Sequence, residues 1–331
     1  MPPTWRTARI LMLLSGATLL ALLVWRNDPE AILQSIRQLS WRLLIVIAFP
    51  FTLVHILDTL GWRFAFRTDR VPFGTLFSAR LAGEAFNLTT PTASVGGEPV
   101  KAWLIRGHVP LDAAVPSVIV AKTTITAAQG LLLIVGLPCA WVLLPHDSPL
   151  LRVMLWLLVL EVLAVAAFVV FQMGGLLHHG GRLARRVPLL ARLTSRLNRL
   201  DDSLAAFYRR EPLRLALSTL FHFLGWLVGA VEVWVALHLL GIEISLVAAL
   251  LVEAFSTAVR FATFMVPASI GAVEGGHVAM FAALGLGATT GLSFSIVRRI
   301  REATWICVGF LALAAWRGFS RAPVTAGEHP L

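Results

Sequence analysis

Charge is what this sequence has least of. Only 14% of its 331 residues are Asp, Glu, Lys or Arg, against about 25% in a soluble globular domain. With 57% apolar residues and a mean hydropathy of +0.79, no large soluble domain fits. The composition is that of an all-α polytopic membrane protein. Cysteine is nearly missing as well. Cys139 and Cys307 both sit in apolar segments, which excludes a disulfide framework or a cysteine metal set. There is no HExxH or related zinc spacing, no GxSxG, no P-loop and no dinucleotide fingerprint. No metal, cofactor or catalytic residue is therefore assigned, and ATP-driven work has no motif to run on. Lysine is scarce too: of 28 basic residues only Lys101 and Lys122 are lysine. That bias is read as the coding preference of a GC-rich bacterium, against which the two lysines stand out.

What the chain does have is a pair of interrupted segments. The first runs Pro91-Thr92-Ala93-Ser94-Val95-Gly96-Gly97-Glu98-Pro99-Val100-Lys101, and the second Pro267-Ala268-Ser269-Ile270-Gly271-Ala272-Val273-Glu274-Gly275-Gly276. In each, a glutamate follows the proline by seven residues, and Glu-Ala-Phe precedes it at Glu84 and Glu253. Proline removes a backbone donor and glycine weakens a helix, so neither stretch is expected to cross a bilayer as one regular helix. Broken backbone at membrane depth is tolerated only where protein buries it or it lines a wet cavity. Paired interruptions in two halves are the best sequence pointer to a transporter binding site. The expected fold is therefore about six to eight transmembrane helices with two broken or re-entrant, Glu-bearing segments in an inverted pseudo-repeat.

The chain divides accordingly. Residues 1–173 form a first membrane half with its broken segment at 78–106. Residues 174–212 form a basic amphipathic loop, and 213–316 a second half with its broken segment at 253–290. A flexible tail occupies 317–331. Ile10–Val24 reads as a retained first helix, because no small-x-small cleavage site follows it. Asn27–Ser40 reads as an outer loop, followed by spans near Trp41–Leu60, Ala113–Leu144, Leu150–Gln172, Leu213–Leu240 and Ser293–Trp316. Between Gly174 and Arg214 nine arginines face three acids, which places that loop and the N-terminus in the cytoplasm of a bacterial inner membrane. A basic run can serve nucleic acid, but a tethered loop beside anionic lipid is the reading adopted, so no nucleic acid partner is expected. Within the loop Leu190, Leu193, Leu197, Leu200, Leu204 and Phe207 recur at helical spacing. The helix they define either lies on lipid or packs on its own bundle.

Ionisable groups inside the membrane are costly and usually face a cavity or a partner. Glu98, Glu274, Glu84 and Glu253, with Lys101, Lys122, Arg260, Ser94 and Ser269, are the candidate cavity residues; Arg80 is a further candidate partner. Pro91, Gly96, Gly97, Pro267, Gly271, Gly275 and Gly276 supply the broken backbone. Arg298, Arg299 and Arg301 are candidate phosphate contacts, since guanidinium matches phosphate bidentately; snorkelling from a helix end is the alternative. Gly225/Gly229, Gly271/Gly275 and Gly287/Gly291 read as close-packing pairs. Asp58, Glu161 and Glu232 read as packing pairs only.

Thr90–Pro99 and Val266–Gly276 resemble the two signatures of the flippase-like family, that is, the lysylphosphatidylglycerol synthase transmembrane-region family, which includes the membrane half of the multiple peptide resistance factor. The run Phe261–Gly276 is most similar to its hopanoid-biosynthesis-associated branch. The resemblance implies a lipid-translocating helical fold with broken helices around a central cavity. It does not imply aminoacyl transfer, an activity of a separate soluble domain that the fifteen residues after Trp316 are not expected to supply.

The reading is an inner-membrane flippase or transporter that passes a polar or charged lipid head group through a central cavity. Glu98 and Glu274 are expected to lie close together, to meet an amine, a hydroxyl or a coupling proton, and to tolerate Gln without loss of stability. Its rivals are a non-transporting accessory protein that recruits lipid-modifying enzymes through the basic loop, and an intramembrane enzyme acting on a head group.

Overall fold

A computed structural model describes residues 3–27, 29–68, 71–90, 95–173 and 188–319. Among these residues there are helices and turns and no strand, so the molecule is a polytopic helical membrane protein. Helices α1 (Pro3–Arg26), α2 (Pro29–Leu39) and α3 (Leu43–Phe64) open the chain. They are followed by α4 (Phe73–Thr89), α5 (Glu98–Leu104), α6 (Leu111–Leu143) and α7 (Pro149–Met173). The remainder comprises α8 (Pro188–Arg210), α9 (Pro212–Leu239), α10 (Leu246–Ala262), α11 (Ala272–Ala283) and α12 (Ala288–Phe319).

Among the described residues four helices are long and apolar enough to cross a membrane: α3, α6, α7 and α9. Helix α12 has the length, with 32 residues, but Arg298, Arg299, Arg301 and Glu302 interrupt its apolar character. Two expectations shift. Residues 27–40 are not a plain loop, because Pro29–Leu39 folds as an amphipathic helix with Ile32 and Leu39 buried. The last helix begins at Ala288, not Ser293.

The order of contacts fixes the direction of each element. Near its C-terminal end α3 meets the start of α9: Ser218 Oγ donates to Gly61 O at 2.8 Å, and Phe64 stacks on Phe221 at 5.4 Å. The two helices are therefore antiparallel. Helix α4 leaves the bundle end where α3 stops, whereas α10 leaves the opposite end, where α9 stops. Each then doubles back. Ile105, just after α5, shares an apolar cluster with Leu76 of α4 and Trp62 of α3. Likewise, Met280 and Phe281 of α11 share a cluster with Leu251 and Val252 of α10. At about 1.5 Å per residue, α4 and α10 with 17 residues each reach about 25 Å and stop short of a full crossing. Two helix–break–helix hairpins thus enter one bundle from opposite ends, and α4 packs against the turn at Pro267–Ser269 of the other hairpin.

The basic segment is described only from Pro188 onward; Arg182, Arg185 and Arg186 lie outside the described residues. Leu204 and Phe207 of α8 are buried against Trp62, Phe66 and Val118. The C-terminal half of α8 therefore packs on its own bundle, with its arginines Arg199, Arg209 and Arg210 exposed. Burying a Leu and a Phe on protein removes them from any lipid face.

Candidate functional site

The first hairpin turns on Asn87. At the end of α4 its Oδ1 accepts the Gly97 N–H at 2.7 Å, and its Nδ2 donates to Glu98 Oε1 at 3.0 Å. One amide thereby satisfies an otherwise orphaned donor at the start of α5 and orients the first carboxylate. Pro99 sits in the first turn of α5, where a missing N–H costs nothing. Gly97 is needed for space: a Cβ there would lie 1.8 Å from Gly83 O, so α5 could not approach α4. Lys101 Nζ bonds both oxygens of Glu98, at 3.0 and 3.1 Å. Glu84, one turn before Asn87, feels the positive charges of Lys101, Arg80 and Lys122. Glu84, Glu98, Lys101 and Lys122 are all only partly buried. Pro91 and Ser94 lie outside the described residues; Gly96, beside them, is partly exposed.

The second hairpin breaks more sharply. Ala268, Ser269 and Gly271 have φ of 49°, 50° and 83°, and left-handed backbone at two non-glycine residues is costly unless neighbours hold it. Arg299 of α12 does so. Its Nη1 donates to Ala268 O at 2.9 Å and its Nε to Glu274 Oε1 at 2.6 Å, while Glu274 Oε2 accepts the Gly271 N–H at 2.7 Å. Ser269 is buried, and its hydroxyl donates to Thr263 O at 3.4 Å. Gly276 faces Phe255, but nothing lies within 4 Å of a Cβ built on Gly275. The small-residue pairs thus divide. Gly225 and Gly229 make room for the carboxylates of Asp58 and Glu253, and Gly291 for the backbone of His277. Gly271 and Gly287 are instead required by positive φ.

Around this break four guanidiniums meet four carboxylates. Arg298 grips Glu253 bidentately at 2.7 and 3.3 Å and has Glu232 at 4.0 Å. Arg301 bonds Glu232 directly and lies over the Phe51 ring at 3.8 Å. Arg299 Nη1 bonds Glu302 Oε2 at 2.6 Å, and Arg260 Nη1 bonds Glu302 Oε1 at 2.9 Å. The three arginines expected to bind phosphate are therefore already occupied by carboxylates. The reason is helical spacing: 298 and 301 share one face of α12, and 299 and 302 another, so two separate acid–base rows form. The Glu253 and Glu274 sites draw their cations from α12, not from Arg260. Of the four arginines, Arg260 is the most exposed, its side chain 35% accessible.

Glu98 and Glu274 share no hydrogen-bond or ion-pair partner among the described residues; each is satisfied within its own half. What lies between the halves is a third network, which joins the candidate partner Arg80 to the packing-pair acid Asp58. Arg80 bonds Asp58 and contacts His55 Nδ1 at 2.6 Å, and His222 Nδ1 meets Asp58 Oδ1 at 3.0 Å. His55 in turn lies 4.5 Å from the Trp305 ring of α12. Asp58 and Glu232, read as packing pairs, have Arg80 and Arg301 as partners, whereas Asn87 and Glu302 were missed. For Glu302 the signal was present, three positions after Arg299 on one helix.

The family described as the lysylphosphatidylglycerol synthase TM region matches residues 9–310 of this chain. No curated protein and no solved structure matches it.

Proposed function

Since the chain belongs to the family of the lysylphosphatidylglycerol synthase transmembrane region, a membrane family of lipid-related function, we propose that it is an inner-membrane flippase or transporter that moves a polar or charged lipid head group. The observation that carries this reading is the meeting of two broken hairpins entering from opposite ends, with α4 of one against the 267–269 turn of the other. Such a pair behaves as an inverted repeat, the arrangement in which transporters place substrate sites at the repeat interface. The head group meets the first hairpin: Glu84, Glu98, Lys101 and Lys122 are polar, partly accessible and of both signs. Glu274 and Arg298, Arg299 and Arg301 serve as the frame that holds the second break. The tails stay in lipid throughout. Movement is downhill or ion-coupled. The arginine-rich end carries α8 and the N-terminus on the cytoplasmic side.

Reconstitution into liposomes with fluorescent phosphatidylglycerol, phosphatidylethanolamine and a hopanoid-containing composition tests this, by quenching from one leaflet. Expected is protein-dependent exchange of at least one labelled lipid, reduced by Lys101→Ala. Exchange no faster than in protein-free vesicles for every lipid would end the proposal.

A further inference from the structure

We propose that Glu161 is a proton-binding carboxyl at the centre of the membrane, and that its protonation drives the lipid movement proposed above, on which the coupling half of this inference rests. Glu161 stands midway along the 25-residue α7. That helix is the least buried of the four long apolar spans, and Leu160, Val162 and Leu163 beside it are exposed. Glu161 itself is 1% exposed. It turns inward onto α6 at Gly130, where a Cβ would meet its Cδ at 3.9 Å, in ordinary van der Waals contact.

Both Oε1 and Oε2 are buried without a hydrogen-bond partner. Helix α7 packs on α6, α8 and α10. The charged groups those elements bring are Asp112 and Lys122 of α6, Arg192, Arg196, Arg199, Asp201, Asp202, Arg209 and Arg210 of α8, and Glu253 and Arg260 of α10; Arg152 lies on α7 itself. Among the described side chains none of them pairs with Glu161, on which burial alone acts. By contrast, Asp58, Glu232, Glu253, Glu274 and Glu302 each have an arginine as partner. A carboxylate held by guanidinium keeps its charge, since losing it would strand the buried cation. A lone carboxylate in apolar surroundings carries a desolvation cost with nothing to offset it, whereas the neutral acid does not. Glu161 is thus the carboxyl that gains by taking a proton. In the step, a carboxylate oxygen receives a proton from hydronium on the acidic side, leaving water. The same O–H bond later breaks to a water on the other side. Intramembrane carboxyls of this kind mark proton relays in pumps and transporters.

The test uses the full chain in liposomes of phosphatidylglycerol and phosphatidylethanolamine, with fluorescent analogues of both and an imposed pH gradient. The gradient should accelerate wild-type lipid movement severalfold. Glu161→Gln should show no acceleration over its own gradient-free rate, and Glu161→Asp should retain a response. In parallel, dicyclohexylcarbodiimide, which attacks protonated carboxyls in apolar surroundings, should label wild type at Glu161 and fail to label the Gln variant. Absence of label at Glu161, no gradient response in a wild type that does move lipid, or an equal response in the Gln variant overturns the proposal. If wild type moves neither lipid, the lipid-movement reading fails, and the proton site stands or falls on the labelling. Should Glu161→Gln fail to insert, the Asp variant and the mapped label on wild type decide.

Discussion

Arg299 Nε lies 2.6 Å from Glu274 Oε1, and through that contact α12 clamps the break in the second hairpin. The same guanidinium also holds Ala268 O and Glu302. Neutralising the carboxylate leaves Arg299 with Glu302 as its one remaining carboxylate partner and releases left-handed backbone at 268–271. Glu274→Gln should therefore lower stability by about 3–5 kcal/mol, the usual cost of breaking a buried pair, replacing the sequence expectation that it would leave stability unchanged. Because the two groups act together, Glu274→Gln with Arg299→Gln should cost less than the sum of the singles, by ~0.5–3 kcal/mol. Thermal unfolding in detergent of the two single variants and the double variant measures this; strict additivity would dismiss the clamp.

Glu98→Gln should behave differently. Lys101 and Glu98 are each only about nine-tenths buried, at 13% and 11% side-chain exposure, and Gln can still accept from Asn87. The melting temperature should fall less than for Glu274→Gln while lipid exchange in liposomes falls more. The reverse ordering would make the first hairpin the frame and the second the site.

Two glycines test the packing of the breaks. Gly97→Ala places a methyl 1.8 Å from Gly83 O and should prevent α5 from docking, read as loss of monodisperse protein. Gly275→Ala meets nothing within 4 Å and lies inside α11, so it should be neutral or stabilise by about 0.5–1 kcal/mol. Equal effects of the two changes would contradict the close approach at Gly97.

Phe207 fixes α8 to the bundle. Phe207→Ala should cost about 3–5 kcal/mol as a core truncation, whereas Arg209→Ala, at an exposed position, should be nearly silent. Matched thermal shifts for both would favour a lipid-lying helix.

The proposed orientation predicts labelling as well. Arg210→Cys should resist a membrane-impermeant thiol reagent in intact spheroplasts, and Asp147→Cys, in the turn at the opposite end of the bundle, should react, both on a background lacking Cys139 and Cys307. Faster reaction at position 210 would invert the topology.

The sequence by itself determined that this is a helical membrane protein, where four of its spans lie to within a few residues, and that helices break at Gly96–Gly97 and at Pro267–Gly271. These follow from composition and from local rules, since proline and glycine act on their own backbone wherever they stand. It also named Glu98 and Lys101 as candidate cavity residues, three positions apart and so one helical turn, without pairing them. Which arginine answers which glutamate was decided only by tertiary structure. Glu232 and Glu253 receive Arg301 and Arg298 from α12 because three helices converge there, and no spacing along the chain records that 69 and 45 residues separate the partners. The same holds for Asp58 and Glu161. Both are single acids in apolar helices, alike in sequence, yet folding brings Arg80 and His222 to one and a bare glycine face to the other. Charge compensation inside a membrane is a property of neighbours in space, and that is why one carboxylate became a structural anchor and the other was left to hold a proton.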